Sequence, residues 1–452
     1  MLRFAQDQLD LWFHSKNRKP LVLRGARQVG KSTLVRQFAK ATGLSLYEVN
    51  LERHLFLRSA FASNNLERIL GELAGLSGEI RDRSSSLLFL DEVQAIPEAI
   101  GALRYFQEDL PELAVIAAGS LLEFTLADHA FSMPVGRINY LHLGPLSFSE
   151  YLQAVDAELY QFYQGWNLTD SLPETRHLSL LHRQREFLIV GGMPEAVQTW
   201  LDTATFAEVA AIQRAILDTY VDDFAKYARH TQLARLQRVF RAVPAQLGRK
   251  VKFTNLSPDD RSSEVKTAIE LLCKARVCTY VCHSDCSGVP LGAGQDCTTF
   301  KLLFLDVGLV SLTLGMTWPQ ALSLGERSLL NEGALAEQFV GQELLGRYLG
   351  KQLPELNYWL REGRSNNAEL DFVISLGTEL LPIEVKAGKA GTLKSLQQFV
   401  TAKRPRRALR FDLNLPIVQA LEYEGGSTEL ISLPLYFASR VPELLSGKEP
   451  AR

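Results

Sequence analysis

The chain has 452 residues, 46% of them hydrophobic and 22% charged, with 49 Lys and Arg against 51 Asp and Glu and a formal charge of −2. That length exceeds one ordinary hydrophobic core and predicts about two to four domains, while the near-neutral total points to no class of partner until it is resolved by region. There is no run of about eighteen apolar residues, and Met1 to Asp7 lacks the basic-then-apolar pattern of a leader, so the expectation is a cytoplasmic protein with no membrane partner.

From Met1 to Leu152, apolar strands alternate with helical stretches, the mark of an α/β sheet covered by helices. Strands are expected at Leu21–Leu23, Leu46–Asn50, Leu87–Leu90, Val115–Ala118 and near Asn139–Leu143, with a phosphate site at their carboxyl ends. Leu21 to Thr33 reads Leu-Val-Leu-Arg-Gly-Ala-Arg-Gln-Val-Gly-Lys-Ser-Thr: a short strand, a glycine-bounded loop and a helix start. Gly25 and Gly30 let the backbone approach a ligand, so that N–H groups across Ala26, Arg27, Gln28, Val29, Gly30, Lys31 and Ser32, up to Thr33, can face phosphate oxygens. Lys31 is expected on the β- and γ-phosphates and the Ser32 hydroxyl on Mg²⁺.

Leu87-Leu88-Phe89-Leu90-Asp91-Glu92 is an apolar strand ending in two carboxylates, an expensive ending without a reason for charge there. Asp91 is expected in the Mg²⁺ shell and Glu92 as the group that polarises an attacking water. Val115 to Ser120 forms the next buried strand and ends on a hydroxyl, Ser120, that could sense the γ-phosphate.

Gly25–Thr33, Leu90-Asp91-Glu92-Val93-Gln94, Ala118-Gly119-Ser120, Val135-Gly136-Arg137 and Leu143 to Leu152 together resemble the successive motifs of prokaryotic AAA-type ATPases that carry a C-terminal nuclease-like domain of unknown function. The resemblance implies a Walker A loop, a Walker B strand, sensor 1, a conserved arginine and a strand leading into a lid. Arg137 is then a candidate finger on the γ-phosphate, in cis or from a neighbouring subunit of a homo-oligomer; a surface or salt-bridged arginine is the alternative. ATP is preferred over GTP because the family is one of ATPases and no Asn-Lys-x-Asp motif occurs.

Residues 153–226 turn helical, broken by the polar stretch Trp166–Arg176 and by Gly191-Gly192-Met193-Pro194-Glu195. The residues license a helix-breaking turn in a helical lid, and the resemblance implies a hinge. Between Lys226 and Cys282 stand twelve Lys and Arg against four Asp and Glu. Arg235, Arg238 and Arg241 could form one basic helical stripe, followed by Arg249, Lys250 and Lys252. Short helices and two later strands make 227–314 look like a winged helix, which suits DNA phosphates; a solvated face or a protein-binding surface is the alternative.

All five cysteines, Cys273, Cys278, Cys282, Cys286 and Cys297, fall within this stretch or just beyond it. They lack the C-x₂-C knuckle of a zinc site, and the reading is small apolar residues and free thiols. Gly315–Ser328 is the expected linker, followed by an α/β domain over 326–452. Its core is a hairpin, Ala368–Ile374 and Leu381–Lys386, in which alternation puts Glu384 and Lys386 on one face with Asp371 able to join them. Two carboxylates and a lysine can bind a metal and steady a phosphodiester attack. The arrangement resembles the D-x(n)-E-x-K core of restriction-endonuclease-like enzymes, with Glu337 as a further acid, although Leu370 replaces the proline that often precedes the aspartate. Lys403-Arg404-Pro405-Arg406-Arg407 is read as a solvated charge run.

The resulting expectation is an α/β P-loop, AAA-type ATPase core (1–152) with helical lid (153–226), winged-helix-like domain (227–314) and nuclease-like domain (326–452). It would hydrolyse ATP with Mg²⁺ and act on DNA. Two alternatives are a nucleotide-dependent switch that binds DNA without cutting it and a protein-interaction scaffold.

Overall fold

The computed structural model describes residues 1–119, 136–226, 230–322, 332–348, 356–361, 368–388 and 392–446. They fall into two compact units: Met1–Gly144 with Lys274–Arg276, and Pro145–Cys273 with the described residues from Val277 onward. Among the described residues no helix is long and apolar enough to cross a membrane.

The first unit is built on five strands, β1 (Leu21–Arg24), β2 (Ser45–Asn50), β3 (Ser86–Asp91), β4 (Ala114–Ala118) and β5 (Asn139–His142). They lie in the order β2-β3-β4-β1-β5, all parallel. Every residue of β3 and β4 is buried, because both faces of these inner strands are covered, and this is why they read as unbroken apolar runs. Leu88, Leu90, Val115 and Ala117 pack with Ile69, Leu73, Ile100, Leu103 and Phe106 from the helices Leu66–Ser77 and Pro97–Asp109. The five strands stand where the sequence puts them, and parallel pairing gathers the ends of β1, β3 and β4 along one edge.

The second unit has an eight-stranded mixed sheet: β6 (Cys278–Ser284), β7 (Gln295–Phe304), β8 (Asn357–Arg361), β9 (Ala368–Leu376), β10 (Glu379–Val385), β11 (Arg407–Asp412), β12 (Ile417–Tyr423) and β13 (Gly426–Pro434), in the order β12-β13-β11-β10-β9-β8-β6-β7. The helix Lys394–Lys403 crosses between the parallel strands β10 and β11, and its Leu396, Phe399 and Val400 pack on Trp359, Leu370 and Val373. Phe148, Phe187 and Phe339 meet edge to face at ring-centroid distances of 5.9 to 6.1 Å, joining three helices around one aromatic centre.

This sheet alters the expected organisation of the chain. The strand pair expected as a wing, β6–β7, is antiparallel, but β6 also pairs in parallel with β8 through Cys282 and Asn357. It is therefore one end of the C-terminal sheet rather than a free wing. The expected linker is partly packed: Trp318–Leu322 is helical, and the Trp318 ring stacks on Phe206 at 4.9 Å. Residues 323–328 of the expected linker lie outside the described residues.

The reading of Cys282 as a small apolar strand residue and of Cys297 as a free thiol is overturned. They form a disulfide across the β6–β7 hairpin, where antiparallel pairing and a bulge after Cys282 bring the two Cα atoms to 4.8 Å. Cys273, Cys278 and Cys286 are not part of the disulfide, and Cys278 and Cys286 are buried as small apolar residues. Among the described residues no group of three or more His, Cys, Asp or Glu is placed to hold a metal ion.

The Gly-Gly-Met-Pro-Glu turn is tightly held. Leu146 N–H donates to Gly192 O at 2.6 Å, and Gly192 N–H donates to the buried Asp306 Oδ2 at 2.6 Å. A Cβ on Gly191 would lie 2.1 Å from Asp306 Oδ1, so these glycines are required by close approach as well as by the turn.

Candidate functional site

Helix Lys31–Thr42 opens on Gly30, whose φ of +91° is closed to most residues, and presents its first amides to the loop that follows β1. Gly25 has a φ of +152°, and a Cβ there would fall 2.1 Å from the carbonyl oxygen of Leu143. The loop thus turns directly against the chain leaving β5, whose Leu143 N–H donates to Arg24 O at 2.8 Å.

Lys31 is buried, and its Nζ donates to the carbonyls of Gly25 at 3.1 Å and Ala26 at 2.8 Å. Burial lowers its amine to about 8, against the pull of Glu92 and Asp91. Ser32 Oγ donates to Asp91 Oδ2 at 2.8 Å, which joins the helix start to the end of β3. Burial raises the Asp91 carboxyl, and the Ser32 hydrogen bond opposes that rise. A hydroxyl and a carboxylate are hard oxygen donors, so this pair fits Mg²⁺.

Glu92 leaves the strand in a left-handed conformation, φ +51°, and Gln94 Nε2 donates to its Oε2 at 2.5 Å. Gln94 in turn backs onto Gly119 at the end of β4, where a Cβ would sit 2.3 Å from Gln94 Oε1. Gln94 was not foreseen as a positioning residue; its place two residues after Glu92 was the available signal. Arg137 Nε bonds Glu108 Oε1 at 2.9 Å, the salt-bridged alternative of the sequence reading. Ser120 lies outside the described residues.

The C-terminal acids also come together, but around a residue the sequence did not single out. Lys301, on β7, is 3% exposed, and its Nζ lies 2.7 Å from Glu369 Oε1, 3.1 Å from Glu337 Oε2 and 3.6 Å from Asp371 Oδ1. Burial works against the ammonium, but Glu337, Asp371 and Glu369 outweigh it and hold its pKa raised. Asp371 Oδ2 accepts from Val385 N–H at 2.8 Å, and Lys386 ion-pairs with Glu384. Burial, reinforced by Asp371, raises Glu337 to about 8 and Glu384 to about 7. Hairpin alternation put Glu384 and Lys386 on one face, and these two ion-pair, while Glu369 was not singled out in the sequence. Lys301 was invisible because it comes from the far side of the sheet order.

The basic stripe is only partly a stripe. Arg235 bonds Asp260 at 2.9 Å and Glu264 at 2.9 Å, and Arg238 bonds Asp260 at 2.6 Å. Asp260 is held well below the usual carboxylate range by Ser257, Arg238 and Arg235. Arg241, Arg249 and Lys252 are exposed.

A five-stranded parallel sheet with a glycine-bounded loop and Lys31, Ser32, Asp91 and Glu92 at one edge is similar to the P-loop units of AAA domains. Residues 17–152 match the AAA domain family. Residues 181–320 and 332–436 each match a domain of unknown function, DUF8612 and DUF4143. Nothing among the curated proteins matches the chain. Similar solved structures include the Aeropyrum pernix ORC2 protein in ADPNP–ADP complexes, 13% identical over 70% of this chain and 94% of that one, TM-score 0.36. Others are A. pernix ORC1 in complex with DNA (14% identity, 72% and 93% covered, TM-score 0.30) and the Thermotoga maritima RuvB Holliday junction branch migration motor (15%, 61% and 88%, 0.30).

Proposed function

We propose that the chain hydrolyses ATP at the loop Gly25–Thr33. The observation that carries this reading is the 2.8 Å bond between Ser32 and Asp91, which brings the two oxygen donors expected of such a site together beside a buried lysine. Backbone amides from Ala26 to Ser32 bind the phosphates, and Lys31 pairs its ammonium with the β- and γ-phosphate oxygens. Ser32 and Asp91 would hold Mg²⁺, which draws charge from those oxygens when bound. Glu92, oriented by Gln94, polarises the attacking water. Ser120 reads the γ-phosphate, and Arg137, once released from its pair with Glu108, stabilises the transferred charge, in cis or across a subunit boundary of a homo-oligomer.

DNA is the proposed partner of residues 226–282, supported by their excess of basic side chains and by the exposure of Arg241, Arg249 and Lys252. The second reading, a nucleotide-dependent switch or scaffold with an inert nuclease-like sheet, is favoured by the ion pairs that engage Arg235 and Arg238. ATP turnover with and without duplex and single-stranded DNA, together with a salt titration of DNA binding, separates them. The first reading predicts stimulated turnover and a steep salt dependence; binding without stimulation favours the switch, and no binding favours the scaffold.

A further inference from the structure

The acids of the C-terminal cluster are arranged for a cation, and the fold supplies one. Glu337 comes from the helix Glu332–Tyr348, Glu369 and Asp371 from β9, and all three turn an oxygen toward Lys301 Nζ. The other oxygen of Asp371 accepts from the Val385 backbone, and Glu384 is paired with Lys386. A divalent ion needs several of these same oxygens at short distance, and it would have to share them with a buried ammonium of its own sign. Lys301 cannot swing aside to solvent, because the segment Phe300–Phe304 of β7 is buried throughout and the ammonium also faces the Tyr358 ring at 5.7 Å. These residues do not fit the metal that the nuclease-like resemblance implies.

We infer that Lys301 is the resident cation of this cluster, so that the C-terminal sheet binds no divalent metal and does not hydrolyse phosphodiesters. Its ion network instead bolts β7, in the segment 181–320, to the helix and hairpin of the segment 332–436. The inference rests on the acids named through the nuclease-like resemblance and not on ATP hydrolysis, so either can fail without the other.

The test uses the full chain carrying Ser32→Ala and Asp91→Asn, which removes the phosphate loop's own oxygen donors, and titrates Mn²⁺ alone, reading free ion by electron paramagnetic resonance. With Lys301 present, no saturable site is expected below about 1 mM. Lys301→Met is expected to gain one site at least about 100-fold tighter, which a further Asp371→Asn removes, while Lys301→Arg gains none. A tight site in the Lys301 chain that Asp371→Asn abolishes overturns the inference, as does a folded Lys301→Met that binds no Mn²⁺. If Lys301→Met does not fold, the Lys301 chain and its Asp371→Asn variant decide. Nicking of supercoiled plasmid by the unmodified chain in Mn²⁺, lost on Asp371→Asn, also overturns it.

Discussion

Replacing Gly25 by alanine tests whether the phosphate loop depends on its close approach to the chain beyond β5. The new Cβ would stand 2.1 Å from Leu143 O at a φ of +152°, and the obstacle is backbone rather than a flexible side-chain end. Positive-φ strain costs about 1–3 kcal/mol and overpacking a further 1–3 kcal/mol, so relief by moving the loop about 1 Å is the expected response. A displacement of that size costs about 100-fold where groups must meet a ligand in register. Gly43, at the other end of the same helix, has a φ of +71°, and a Cβ there would meet nothing within 4 Å, so Gly43→Ala carries only the conformational penalty, about 1–2 kcal/mol. Urea unfolding and calorimetric ATP binding on both variants make the comparison. Gly25→Ala should lose about 100-fold in ATP affinity and Gly43→Ala almost none. Equal affinity and equal destabilisation in the two would refute the reasoning.

Gln94→Ala frees the Glu92 carboxylate and should lower kcat about tenfold with KM nearly unchanged, since Gln94 orients the group that activates water rather than one that binds phosphate. Glu343 is fully buried, accepts from Phe148 N–H at 2.8 Å, and is raised to about 8 by burial. Its folded pKa lies above the unfolded one, so the folded chain holds the extra proton, and stability falls as pH rises from about 4.5 to 8. Glu343→Gln should flatten that slope in urea titrations across this range. Phe148→Ala removes a ring that meets Tyr163, Phe187 and Phe339, and should cost about 3–5 kcal/mol in urea unfolding monitored by tryptophan fluorescence. A loss below about 1 kcal/mol would show that the aromatic centre relaxes around the gap.

The parts of the molecule legible in the sequence are those set by short-range pattern. Apolar runs punctuated by Gly25 and Gly30, or ended by Asp91 and Glu92, located the five parallel strands and the edge at which they converge. Period-two alternation set Glu384 beside Lys386 for the same reason, with Asp371 across the hairpin on the Val385 N–H. The unread features depend on contacts between distant segments. Lys301 stands among ordinary strand residues, and only the pairing of β6 with β8 carries it to acids 36 to 70 residues away. Arg235 and Arg238 count as net charge in sequence, whereas Asp260 and Glu264 pair with them from a separate turn and helix. Cys282 and Cys297 gave no recognisable spacing, because a hairpin bulge sets their approach.

The most direct measurement is Mg²⁺-dependent ATP hydrolysis by the purified chain beside its Lys31→Ala and Glu92→Gln variants. The account predicts turnover in the unmodified chain, a loss of at least about 100-fold in both variants, and retained ATP binding in Glu92→Gln. ATP binding without hydrolysis in the unmodified chain, or turnover that survives both substitutions, would contradict it.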